Sequence, residues 1–107
     1  MKRKRKLDSN LELFKERLQK KLGDNLIRII LFGSRARGDN DEYSDYDCLV
    51  IVKENSKDIK ETILDIEVDI LNEKDAVFSA FAYSEKEMLE RKYEPFIINA
   101  TREGVAL

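Results

Sequence analysis

Two apolar runs, LIRIILF (26–32) and CLVIV (48–52), flank the polar segment GSRARGDNDEYSDYD (33–47), and this arrangement constrains the fold more than anything else in the chain. In the first run Ile27, Ile29 and Leu31 alternate with Leu26, Arg28, Ile30 and Phe32, so the strand it predicts is buried on both faces. The second strand is expected over 45–53. Residues i and i+2 of a strand point to the same face, so Asp45 and Asp47 project together. Two like charges so placed need a cation, and oxygen-only ligands favour Mg²⁺ or another hard divalent ion completed by water and substrate phosphate.

The other end of the polar segment supplies a phosphate subsite. Gly33 has no Cβ, so a bound group can approach the backbone, and Ser34 offers a hydroxyl beside amide donors opening a short helix through Arg37, closed by Gly38. Arg35 and Arg37 follow that serine, and at least one is placed to neutralise phosphate. A Gly-Ser pair, ten residues, then D-x-D resembles the signature of the DNA polymerase beta-like nucleotidyltransferases, matched here by Gly33, Ser34, Asp45 and Asp47. The GSRARG wording, the short chain and the C-terminal PFIINATREGVAL resemble the minimal nucleotidyltransferase branch, which includes antitoxin partners of HEPN toxins. The resemblance covers roughly residues 20 to 107. Neither competing phosphate motif is present: no G-K-[ST] closes a Walker loop and no G-x-G-x-x-G follows a strand.

Composition narrows the chemistry. The 107 residues contain no histidine, which removes imidazole bases and His-containing zinc sites and leaves carboxylates and metal-bound water for acid/base work. The single cysteine, Cys48, excludes an internal disulfide and reads as a buried strand residue facing away from the aspartates. The length suits one domain, expected over 8–107 behind a basic, disordered arm at 1–7. The apolar runs are far too short to span a membrane and no secretory segment opens the chain, so a soluble, cytoplasmic protein is expected. Residues 1–37 carry twelve Lys or Arg against four acids, and 38–107 carry eight against eighteen. The basic arm MKRKRK suits an acidic partner or, as a weaker alternative, nucleic acid.

The remaining elements suit a small mixed α/β (α+β) sheet flanked by helices. A helix capped by Asp8 or Ser9 carries Leu11, Leu13, Phe14, Leu18 and Leu22 and ends at Gly23. A short helix is expected over about 56–64 and a third strand over 66–71, where Ile66, Val68 and Ile70 alternate with Glu67, Asp69 and Leu71. Residues 76–83 are ambiguous between helix and strand. Ser84 and Glu87 form a capping box for a helix to about Lys92, and Pro95 opens a last helix closed by Gly104.

The resemblance implies a third acid on that third strand. Asp69 matches it, with Glu67 as alternate, and its implied role is to complete a second metal site and help deprotonate the acceptor. It further implies a Mg²⁺-dependent enzyme, with one or two ions, that transfers a nucleoside monophosphate, AMP from ATP, to a hydroxyl. Asp45 and Asp47 would hold metal, and Gly33, Ser34, Arg35 and Arg37 would hold phosphate. The implied acceptor is a tyrosine of a partner HEPN toxin, so that the chain acts as antitoxin. A non-catalytic antitoxin working by occlusion and a stand-alone nucleotidyltransferase for a small molecule or RNA are the alternatives; an oligomer is compatible with each.

Overall fold

The computed structural model describes residues 7–107; the expected basic arm therefore lies, apart from Leu7, outside the described residues. Helix α1 (Ser9–Leu22) is capped by Asp8, whose Oδ1 accepts the Leu11 N–H at 2.8 Å, and it buries Leu11, Phe14, Leu18 and Leu22. A 3₁₀ turn, Gly23–Asn25, leads into β1 (Leu26–Phe32). Then come α2 (Ser34–Arg37), β2 (Tyr46–Val52), α3 (Lys57–Lys74), β3 (Phe78–Ser84), α4 (Glu85–Glu90), α5 (Pro95–Glu103) and β4 (Val105–Ala106).

The four strands form one mixed sheet in the order β3-β2-β1-β4. β1 pairs antiparallel with β2 and β4, and β2 runs parallel to β3. Each face is covered by its own cluster. Ile29, Leu31, Cys48, Val50 and Val52 pack with α1 and α3, whereas Ile30, Phe32, Leu49 and Ile51 pack with Ala100 of α5. Double coverage explains why both central strands read as continuous apolar runs. Burying a side chain the size of Phe14 or Leu49, each fully enclosed, contributes about 1.5–3 kcal/mol.

Residues 57–74 depart from expectation. They form one helix rather than a short helix and a strand, with Ser56 at its N-cap and Asp75 in the left-handed region at its C-cap. The buried residues Ile63, Ile66 and Ile70, with Ile59 partly buried, follow helical spacing, while Val68 and Leu71 stay exposed. Isoleucines at 63, 66 and 70 satisfy a 3.6-residue stripe, and the alternation in IEVDIL misleads because Val68 falls outside it. The third strand is instead the ambiguous segment: β3 pairs with β2 from Tyr46↔Phe78 to Val52↔Ser84. The capping box of Ser84 and Glu87 is present and starts α4. β4, too short to carry a periodic signal, had no counterpart in the sequence reading.

Candidate active site

The polar segment 33–47 folds back so that its two ends meet. Phe32 and Asp47 are direct partners across β1 and β2, which brings the Gly33 turn beside the carboxylate. Gly33 has φ 75° and ψ −158°, and its carbonyl accepts the N–H groups of Ala36 and Arg37, both at 3.1 Å, to start α2. A Cβ built on Gly33 would lie 2.5 Å from Asp47 Oδ2. The glycine is thus required both by its backbone conformation, essentially open only to glycine, and by the close approach of the acid. Ser34 is partly exposed at the first turn of α2.

Strand β2 begins at Tyr46, one residue later than expected, so Asp45 lies just before it and is exposed, whereas Asp47 is its second residue and half-buried. Desolvation, and secondly the charge of Asp45, pushes the Asp47 carboxyl above the usual carboxylate range, with Arg37 opposing and Glu103 adding to the rise. This crowding of negative charge, with oxygen donors alone, fits a hard divalent cation held by two carboxylates and completed by water and phosphate. Among the described residues no group of three or more acidic or cysteine side chains converges to hold a metal, so the third carboxylate expected on the sheet is missing.

Asp69 does not supply it. It is exposed on α3 and lines a surface hollow with Arg17, Lys20, Lys21, Ile66 and Glu73, on the helical layer of the molecule. Because the segment is helical, its side chain is carried away from the sheet instead of alternating across it. The alternate, Glu67, reaches the outer edge of β3, where Oε1 accepts the Ala80 N–H at 3.1 Å. The β3 residue opposite Asp47 is Ser79.

The two arginines separate. Arg35 packs on the Tyr46 side of β2: its Nε donates to the Ser44 carbonyl at 2.9 Å, and its guanidinium sits 3.9 Å above the Tyr46 ring. Tyr46 stacks on Phe78 and Phe78 on Phe14, with ring centroids 4.4 Å apart in each pair, and the Tyr46 hydroxyl donates to Asp8 Oδ2 at 2.8 Å. This stack ties α1, β3, β2 and α2 together and fixes the residues on either side of Asp45. Arg35 therefore braces the loop, through the Ser44 and Glu42 carbonyls and the Tyr46 ring. The nearby acids Asp39 and Asp41 are also engaged locally, Asp39 with Arg37 Nε at 3.1 Å and Asp41 with the Tyr43 N–H at 2.8 Å.

Arg37 is on the carboxylate side and meets a residue the sequence reading missed. Glu103, at the end of α5, accepts the Gly33 N–H at 3.1 Å through Oε1 and the Arg37 guanidinium at 3.3 and 3.2 Å through its two oxygens. Nothing in sequence spacing links residues so far apart. Beside the site, Phe32, Phe81 of β3 and Phe96 of α5 form an aromatic group with centroids 5.3–6.2 Å apart, with Phe81 and Phe96 still about 40 % exposed.

The chain is similar to several known proteins. "Putative protein adenylyltransferase MJ1305" of Methanocaldococcus jannaschii is 55% identical over 47 residues, covering 44% of this chain and 32% of its own length. "Putative protein adenylyltransferase MJ0141" of the same organism is 58% identical over 41 residues, covering 38% of this chain and 41% of its own length. The matched segments thus span well under half of these relatives. Among solved structures, the spectinomycin adenyltransferase AAD(9) from Enterococcus faecialis, with ATP and spectinomycin, aligns with TM-score 0.61 and 27% identity over 75% of this chain and 35% of that one. A toxin-antitoxin structure with AMP-PNP aligns with TM-score 0.62 and 16% identity, over 92% of this chain and 72% of that one, which speaks to the fold. The nucleotidyltransferase domain family matches residues 11–103, nearly the whole chain, and with the Gly-Ser turn set against paired aspartates on a shared fold, the chain belongs to that family.

Proposed function

We propose that this chain transfers AMP from ATP to a hydroxyl on a partner protein, a tyrosine of a HEPN-type toxin, and so acts as the antitoxin of a pair. The observation that carries the reading is the contact between the Gly33 turn and Asp47: a position for polyphosphate immediately beside two carboxylates suited to a divalent cation. The names of the relatives favour protein adenylylation, and the likeness to a toxin-antitoxin structure with AMP-PNP favours the pairing.

The chain's own residues would do the following. Gly33, Ser34 and Arg37 bind the β- and γ-phosphates and fix the leaving group. Asp45 and Asp47 hold Mg²⁺, one ion being what two carboxylates with phosphate and water suffice to bind. Such an ion, when bound, offsets charge on the phosphate oxygens. The acceptor oxygen attacks the α-phosphorus in line, the bond to the β-phosphate oxygen breaks, pyrophosphate leaves with the electron pair, and the hydroxyl proton passes to water. An in-line attack places the acceptor across the aspartates from the Gly33 turn, over β3, where Phe81 and Phe96 offer aromatic surface to a tyrosine-bearing segment.

The test incubates the purified chain with α-labelled ATP, Mg²⁺ and the candidate toxin, with intact-mass measurement of the toxin. Label should appear on a toxin tyrosine, and Asp45→Asn or Asp47→Asn should abolish it while circular dichroism stays unchanged. Retained transfer by either variant would remove the assigned metal role. Toxin protection in cells by the double variant would replace catalysis with occlusion.

A further inference from the structure

Glu103 lies where an anionic ligand of this site would be expected. Its carboxylate accepts the Gly33 N–H and bridges both oxygens to the Arg37 guanidinium, a pattern that a phosphate group satisfies equally well. We propose that Glu103 is a built-in competitor for polyphosphate: in the nucleotide-free chain it holds the Gly33 amide and Arg37, and it must release them for nucleotide to load. The proposal rests on the nucleotide reading above and names a residue that regulates that same site.

Local charge supports competition over mere support. Asp39 and Glu103 both pair with the Arg37 guanidinium, Asp39 at its Nε, and Asp47 lies within electrostatic range of Arg37, Glu103 and Asp45. A polyphosphate entering this group without a cation meets an excess of negative charge. The release also has a route. Glu103 is the last residue of α5, and the chain beyond it is pinned by β4, with Leu31↔Val105 and Ile30↔Ala106 paired and the Leu107 N–H bonded to the Ile29 carbonyl at 3.0 Å. The helix end stays in place, but the Glu103 side chain is 27% exposed and can rotate into solvent without unfolding anything. The consequence is selectivity: a Mg²⁺-bound triphosphate displaces Glu103, whereas metal-free nucleotide does so poorly.

Calorimetric titration of ATP into the full chain and into Glu103→Gln, each in EDTA and in Mg²⁺, tests this. Glutamine keeps an oxygen for the Gly33 N–H and removes the charge. The variant should bind metal-free ATP about tenfold more tightly than the unaltered chain, with the gap shrinking in Mg²⁺. Equal or weaker metal-free binding by the variant overturns the proposal and makes Glu103 an anchor of Arg37. Absence of ATP binding to both proteins in both conditions overturns the nucleotide reading as well. Should the variant fail to fold, NMR on the unaltered chain decides: Mg²⁺-ATP should shift the Gly33 amide and the Glu103 carboxyl carbon together, and a Glu103 carboxyl that stays fixed at saturation refutes release.

Discussion

Replacing Gly33 with alanine separates the demands of the fold from those of the site. At φ 75° and ψ −158° the residue occupies backbone territory that is essentially glycine's alone, so alanine there costs about 1–3 kcal/mol. For a domain of this size each kcal/mol lowers the melting temperature by roughly 4 °C, so Gly33→Ala should melt about 4–12 °C below the unaltered chain. The steric part acts elsewhere. The new methyl would lie 2.5 Å from Asp47 Oδ2 and 3.3 Å from its Cγ, and the carboxylate, the end of a side chain, yields by turning away. A misplacement on that scale costs on the order of 10²-fold in transfer rate. Gly38→Ala is the matched control: Gly38 also has a positive φ, 86°, but an added Cβ meets nothing within 4 Å. It should lose about 1 kcal/mol and keep its rate. Thermal melts and transfer of label from α-labelled ATP, run below both melting points, read the two effects separately. A Gly33→Ala protein that melts with the unaltered chain, or two variants that lose activity in parallel, would show that Gly33 is needed neither for its backbone conformation nor for the approach of Asp47.

Two further outcomes follow from where the acids lie. Asp69→Asn should leave nucleotide affinity and turnover unchanged, because Asp69 lies on the surface of α3 beside Arg17 and Lys21; a selective loss of turnover would restore it to the site. Burial raises the Glu67 carboxyl above the usual range, with the Ala80 N–H opposing, so the folded chain binds this proton more tightly than the unfolded one. Its contribution to stability is therefore greatest when protonated and declines as pH rises through the ordinary glutamate range and above it. Glu67→Gln keeps an acceptor for Ala80 and should flatten that part of the stability profile, leaving the protein at least as stable at neutral pH. Urea denaturation across pH would show a steeper decline if the idea is wrong.

Local signals were legible where they were sufficient. The cap at Asp8, the strand Leu26–Phe32, the turn Ser34–Arg37 and the capping box at Ser84 all stand where the residues placed them, since each depends on neighbours within a few positions. The misreading of 57–74 has a physical origin. An isoleucine-rich run of mixed polarity fits both a period of 2 and a period of 3.6, and what decided the matter was that β3 fills the sheet position beside β2, leaving α3 to cover the face. Arg35 and Arg37 were equivalent in sequence, because the face a short helix presents depends on what it packs against: Tyr46 took one guanidinium and Glu103 the other.

The two central strands and the Gly-Ser turn between them follow from local residues alone, because strand periodicity and glycine's backbone freedom act over a few positions. Packing of the whole chain set the rest: Ser79 rather than an acid stands beside Asp47 on β3, Asp69 lies on a helix, and Glu103 reaches the Gly33 amide from the far end of the chain. Those outcomes depend on which elements become neighbours, and packing of the whole chain, not local preference, sets that.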